Sequence, residues 1–254
     1  MIDAASLIGT QDVIFITLDT LRYDVAVEAL AAGRTPNIAA VIPGGAWEKR
    51  HTPGSFTFAA HCAFFAGFLP TPATPGRHDR LLAARFAGSE TTGPGTAVFD
   101  APDWITGLGN RGYHTACIGG VGFFNKLTPL GSVLPSMFAE SHWSPEMGVT
   151  SRDSTERQVR LAESILQSSP AAARLLLFIN VSAIHQPNCI FTPGATADTK
   201  QTMADALACV DRWLGAALVI LCSDHGTAYG EDGHTGHRIA LPCVWDVPYA
   251  EFVL

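Results

Sequence analysis

The sequence is short of charge. Only 15% of its residues are Asp, Glu, Lys or Arg, against 47% hydrophobic, which excludes a disordered chain and implies that most of it is packed. The charge it does carry is acidic, a formal −7, and no cluster of Lys or Arg occurs, so the electrostatic footprint of a nucleic-acid-binding protein is missing. Long apolar runs are missing too. No stretch reaches the ~18 uninterrupted apolar residues of a membrane span. The opening MIDAASLIGTQD lacks the basic start and apolar centre of a signal peptide. The expectation is a chain with neither nucleic acid nor membrane as partner. The six cysteines (Cys62, Cys117, Cys189, Cys209, Cys222, Cys243) include no CxxC pair, and several sit in apolar runs, where a free thiol behaves as a small hydrophobe. A reducing cytoplasm is the simplest compartment. The glycine-punctuated GGVGFFNKLTPLG, from Gly119 to Gly131, fits neither GxGxxG nor the Walker pattern, so no nucleotide site is assigned. Lys126 within it either faces an anionic substrate or is a solvated loop lysine. No internal repeat or low-complexity segment is present.

What remains is an alternation of buried strands and helices. At 254 residues the chain is long enough for one large α/β domain, taken as residues 1–254. Val13 to Leu18, Leu175 to Val181 and Leu218 to Cys222 are short, branched apolar runs that predict buried strands in a mostly parallel sheet, and Tyr113 to Ile118 alternates into a further strand. Pro242 to Val247 predicts a closing strand. Helical spacing follows Asp24 toward Ala32, and recurs over Phe58 to Phe65, Trp104 to Arg111, Ser151 to Leu166 and Lys200 to Leu214. Gly67 is able to stop the second of these. Pro70 to about Thr96 reads as loop and short irregular elements. The pattern predicts a three-layer α/β/α sandwich with a mostly parallel central sheet.

The chemistry gathers at predicted strand exits, the edge where open α/β sheets bind ligands. LVILCSDHGTAYGEDGHTGH, Leu218 to His237, sets Asp224 and His225 at a strand tip and adds His234 and His237 in a loop with four glycines. That density of carboxylate and imidazole suits zinc or manganese. Asp19 stands at the tip of its own strand, although an Asp there is more often a helix cap. Thr57 falls near the start of a helix, either as an N-cap or as a nucleophile poised against a metal. His185 follows the Leu175 strand.

Four motifs, VIFITLDTLRYD, SFTFAAHCAFFAG, FINVSAIHQP and SDHGTAYGEDGHTGH, together resemble the alkaline phosphatase/sulfatase superfamily of metallohydrolases, in the same order along the chain. The resemblance implies an alkaline phosphatase-like fold and one or two divalent ions, Zn or Mn first, with Mg or Ca as further candidates. It implies that Asp19, Asp224 and His225 hold one metal, with Thr57 at the nucleophile position against it. His185 and His237 would help hold a second metal or the substrate's anionic group. Asn180, His234 and Arg22 are candidates for a further ligand or for a place just behind the ligands. The motif departs from sulfatases, which carry C/S-x-P-x-R where this chain has Thr57, Phe58, Ala59, Ala60 and His61. A Thr nucleophile and twelve residues from His225 to His237 look more like phosphoethanolamine transferases and phosphopentomutases. Those mutases carry Asp where this chain has Asn180, a weaker neutral ligand. The transferases carry membrane spans, and none is evident here. His61, one turn past Thr57, either touches a nonbridging substrate oxygen or packs in the helix.

The expected activity is metal-dependent hydrolysis of a small anionic phosphoester or phosphonate through Thr57. Two alternatives stand beside it: transfer of the group to another acceptor from the same site, and a metal-binding homologue without turnover.

Overall fold

The computed structural model describes residues 4–67, 82–84, 97–99, 103–169, 173–214 and 220–252. Most of the expected loop from Pro70 to Thr96 lies outside them, as do Leu218 and Val219. Strands Val13–Leu18 (β1), Glu48–His51 (β2), Leu82–Ala84 (β3), Ala97–Phe99 (β4), His114–Ile118 (β5) and Glu140–His142 (β6) are followed by Leu175–Val181 (β7), Ile220–Cys222 (β8), Ala228–Tyr229 (β9), Thr235–Gly236 (β10) and Asp246–Glu251 (β11). Seven of them form one sheet in the order β2-β11-β8-β1-β7-β5-β6. From β8 to β6 every pairing is parallel, while β11 runs antiparallel to both β8 and β2.

Alternation along the central strands sorts their side chains into two layers. Ile14, Ile16 and Leu18 of β1, with Leu175, Leu177 and Ile179 of β7, enter one apolar cluster. Helices Tyr23–Ala31, Pro36–Val41, Ser154–Ser168 and Lys200–Asp211 close that side through residues such as Ala26, Ile38, Ile165 and Leu207. Phe15, Leu176 and Phe178 point the other way, against the helices Thr57–Ala66 and Trp104–Gly109. The helix beginning at Thr57 ends at Gly67, whose φ of 78° is the left-handed closure that glycine tolerates. The result is the expected three-layer α/β/α arrangement.

One expected element is corrected. Pro242–Trp245 is a single helical turn, and the closing strand starts only at Asp246. Proline at the first turn has φ already set for a helix and no N–H to lose, so the apolar residues behind it are wound rather than extended. The edge strands β2 and β6 were not expected either. Glu48, Lys49, Arg50 and His51 carry no apolar alternation, because an edge strand with exposed side chains needs none. What the fold supplies to the site is one shared edge: the C-terminal ends of β1, β7 and β8 lie side by side.

Candidate metal and nucleophile centre

Asp19 follows β1 directly and Asp224 lies just past β8, and both are wholly buried. The turn after Asp19 is unusual. Thr20 takes a positive φ of 64° and aims its backbone N–H at Asp224 Oδ1, 3.1 Å away. The N–H of His225 reaches the same oxygen at 3.0 Å. Asp224 Oδ2 is left with no hydrogen bond. On Asp19 the division is similar: Oδ2 accepts from Asn180 Nδ2 at 3.0 Å and from Thr57 Oγ1 at 3.4 Å, while Oδ1 is buried without a partner.

His225 supplies the third group. Its Nδ1 lies 2.8 Å from the Gly226 carbonyl, which can only accept, so Nδ1 carries the proton and Nε2 is a free lone pair. That Nε2 is 3.6 Å from Asp224 Oδ2, 3.9 Å from Asp19 Oδ1 and 3.3 Å from Thr57 Oγ1. Asp19, Asp224 and His225 thus each offer one ligand atom within 4.8 Å of the others. The two orphaned oxygens belong to this same trio, and acceptors buried without a donor are costly unless a cation joins them. The donor set of two carboxylate oxygens and one imidazole fits zinc or manganese.

The electrostatics agree. Burial, and then the neighbouring Asp224 carboxylate, push Asp19 up to about 6. Burial pushes Asp224 up to about 7. The same burial lowers His225 to about 4 and so keeps its imidazole neutral. His237 is lowered to about 3, by burial first and then by the charges of His225, His185 and Arg238. The His237 ring lies 4.8 Å from that of His225 and 6.0 Å from that of His185, and its Nδ1 is buried without a hydrogen bond. His185 gives its Nδ1 proton to the Gln186 carbonyl at 2.6 Å, leaving Nε2 as a lone pair.

Thr57 is not an N-cap. Phe56 holds that position, with no side-chain cap bond, and Thr57 is the first helical residue. Its hydroxyl is therefore spent on Asp19 and His225 rather than on its own helix. His61 is corrected in the opposite direction. Its Nδ1 donates to the Thr57 carbonyl at 2.7 Å and its Nε2 accepts from Thr17 Oγ1 at 3.2 Å. The rings of Phe64, Phe65, Phe124 and Phe178 surround it at 5.3 to 5.8 Å. With both nitrogens engaged, it packs behind Thr57 and holds the helix start, and burial keeps it neutral, at about 3.

Asn180 is similarly placed behind the ligands. Its Nδ2 donates to Asp19 and Thr17, and its Oδ1 accepts from the Val121 N–H at 3.1 Å, so both ends of the amide are engaged. Arg22 belongs elsewhere. It is buried in ion pairs with Asp24 and Glu231 and donates to the Thr227 carbonyl at 3.1 Å, bracing the loop beyond His225. His234 lies in the turn at the β10 end of that loop, its backbone bonded to Glu231 and Gly230, outside the trio. Lys126 is a loop lysine tied to Ser141. The residues that sequence reasoning missed are Thr17, Thr20 and Thr52, whose hydroxyl donates to the Asp224 carbonyl. A threonine with positive φ or a buried bond to a distant backbone leaves no pattern in the chain itself.

No family model matches this sequence, and no curated protein matches it by sequence comparison. Solved structures do. The C-terminal periplasmic domain of the phosphoethanolamine transferase EptC from Campylobacter jejuni superposes with a TM-score of 0.60 at 12% identity, over 96% of this chain and 80% of that one. The corresponding EptC domain from Escherichia coli, in complex with Zn, gives a TM-score of 0.56 at 10% identity over 96% and 74%. An alkaline phosphatase superfamily protein from Vibrio parahaemolyticus gives 0.53 at 14% identity over 96% and 60%. At these identities the likeness is one of fold, and the fold of this chain is that of the alkaline phosphatase superfamily.

Proposed function

We propose that this protein is a metal-dependent enzyme acting on a small phosphoester or phosphonate, with Thr57 as nucleophile and hydrolysis as its activity. One observation carries the reading: the Thr57 hydroxyl sits 3.3 to 3.4 Å from His225 Nε2 and Asp19 Oδ2, beside two buried carboxylate oxygens that lack any donor. Asp19, Asp224 and His225 would hold a divalent ion, zinc or manganese first; the EptC domain in complex with Zn supports zinc. A bound dication would supply Lewis-acid charge to the hydroxyl and to the substrate's oxygens.

The chain's own groups do the rest. Asp19 Oδ2 is the carboxylate oxygen nearest the Thr57 proton, at 3.4 Å. Thr57 Oγ1 gives its proton to Asp19 Oδ2 and forms the new bond to phosphorus as the bond to the leaving atom breaks (oxygen in an ester, carbon in a phosphonate); the leaving atom departs with the electron pair and takes up a proton from solvent. Water then breaks the phosphothreonine bond. Asn180 and Thr17 hold Asp19 and the helix start in place, so the reacting groups need little reorganisation. The resemblance to phosphoethanolamine transferases favours a second reading, in which an acceptor hydroxyl replaces that water.

The test is a panel of phosphomonoesters, phosphodiesters and sulfate esters with zinc- or manganese-loaded protein, repeated on Thr57 variants. Thr57→Ala should stay folded and metal-loaded with turnover lower by about 10³-fold or more, and Thr57→Ser should retain part of the rate. Near-normal turnover in folded Thr57→Ala would overturn the covalent route. An added alcohol that captures the phosphoryl group in place of water would favour the transferase reading.

A further inference from the structure

On the face of the sheet that carries Ile14 and Ile16, packing leaves a cavity of about 370 Å³ between the helix Ser154–Ser168 and the segment from Arg212 to Leu214. That volume falls within the roughly 300–1,000 Å³ of small-molecule sites. Its floor is made by Ile14, Ile16, Leu177 and Ile179 of β1 and β7. Leu166 and Trp213 also line it and are 40% and 38% exposed, so the cavity opens there. Large apolar side chains this open are uncommon on the molecule: among the described residues only Leu127 joins them. None of Asp19, Thr57, Asp224 or His225 lines the cavity, which is therefore separate from the metal and nucleophile centre.

The opposite end is closed and polar. Thr155 and Gln158 line the cavity there and are 4% and 0% exposed. Gln158 donates both protons of its amide, to the Gly119 carbonyl at 3.2 Å and to the Asn180 carbonyl at 2.7 Å. These bonds fix the amide's orientation and leave its Oε1, an acceptor, with no donor among the described residues; Thr155 Oγ1 has no partner either. Such buried atoms are uncommon, because each has given up its hydration for nothing. Three residues apart on one helix, the two side chains are neighbours on one face, about 5–6 Å apart at Cβ. Ala162 and Leu166 continue that face to the mouth, over a helical rise of about 16 Å from Thr155.

The two atoms define the group that would satisfy them. Gln158 Oε1 can only accept, whereas the Thr155 hydroxyl can donate. A ligand hydroxyl donates to the first and accepts from the second; an ammonium only donates and a carboxylate only accepts. The charged lining residues, Glu163 and Arg212, are exposed, so the closed end holds no charge to pair with an ion. Along the aliphatic floor water would be held poorly, since each molecule needs roughly 2–4 polar partners. We propose that this cavity binds a neutral aliphatic alcohol, with its hydroxyl between Thr155 Oγ1 and Gln158 Oε1 and its chain over Ile16 and Leu177 toward Trp213.

Calorimetric titration of the full chain compares 1-octanol with heptyl methyl ether, an isomer of similar shape whose oxygen cannot donate. Octanol should bind saturably, one per chain, and about tenfold or more tighter than the ether. Thr155→Val keeps the shape and removes a hydroxyl that has no partner, so it should melt at or above the wild-type temperature. It should also cut the advantage of octanol to about threefold or less, and Thr155→Ser should keep most of it. Ala162→Phe fills the cavity from the helix side and should bind neither compound; if it does not fold, Thr155→Val decides alone. Affinities for octanol and ether within about twofold of each other, an unchanged ratio in folded Thr155→Val, or octanol binding that survives in folded Ala162→Phe would each overturn the proposal. So would a wild type with no saturable octanol binding, the result expected if water alone or a second copy of the chain fills the cavity.

Discussion

Asn180 sits one strand from Asp19, and its amide settles which way that carboxylate faces. Because Nδ2 donates to Asp19 Oδ2 at 3.0 Å, the other oxygen is turned toward Asp224 and His225. The resemblance to phosphopentomutases, which carry Asp here, leaves Asn180 either a weak ligand or a residue just behind the ligands; its contacts favour the second, a positioning residue. Asn180→Asp removes both donated bonds and sets a third carboxylate against Asp19. The metal-free variant should lose ~2–4 kcal/mol, or roughly 5–15 °C in melting temperature. Zinc should then bind more tightly than to wild type, because the added charge favours the dication. Scanning calorimetry and zinc titration check this, and unchanged values in both would remove Asn180 from the support of Asp19. His61 is explained at the same scale. The helical spacing from Thr57 is visible in the chain, but whether an imidazole four residues on meets substrate or protein depends on Thr17 and the four surrounding phenylalanines, which come from distant segments.

At the scale of elements, the site depends on how the segment after β8 docks. Gly226 follows His225 with its backbone N–H on the Val244 carbonyl, and a Cβ there would lie 2.1 Å from the Cys243 carbonyl oxygen. The helical turn Pro242–Trp245, expected as strand, is therefore the wall against which the Asp224–His225 corner is pressed. Gly226→Ala should cost ~2–4 kcal/mol and reduce zinc occupancy by displacing that corner. Differential scanning fluorimetry with metal analysis tests it; wild-type melting and full zinc content would show that the corner is not set by this contact. Strands β1 and β7 were legible because each is a run of branched apolar residues buried on both faces, and their bounds match the expected ones. The edge strands were not, since exposed charged side chains leave no periodic signal.

For the whole molecule, the buried acidic pair couples the proposed metal binding to proton release. Zinc needs both carboxylates ionised. With Asp19 raised to about 6 and Asp224 to about 7, protons must leave the folded protein below those values. His225 and His237, lowered to about 4 and about 3, are already neutral through that range and release none. Zinc affinity should therefore climb as pH rises from about 5 to about 7, by up to ~100-fold per unit where both acids are protonated, and level off above. Competition titration across pH checks it, and a flat profile would mean that the ion binds elsewhere. At a free zinc concentration of about 100 times Kd, occupancy should add ~2.7 kcal/mol, raising the melting temperature by roughly 5–10 °C, which a chelator should reverse.

Local chemistry was enough to determine the class of this protein. Apolar runs of strand length, helical spacing between them, and Asp19, Asp224 and His225 at strand tips follow from near neighbours in the chain, because backbone periodicity and strand ends are short-range properties. Which groups meet was decided only by tertiary structure. Thr57 reaches Asp19 across 38 residues and His225 across 168, and nothing in the intervening sequence encodes a distance. The parallel register of β7, β1 and β8 brings their ends to one edge and so converts separate weak signals into a buried centre. The same packing gave Arg22 to Asp24 and Glu231, and turned both nitrogens of His61 to Thr57 and Thr17 and away from a substrate.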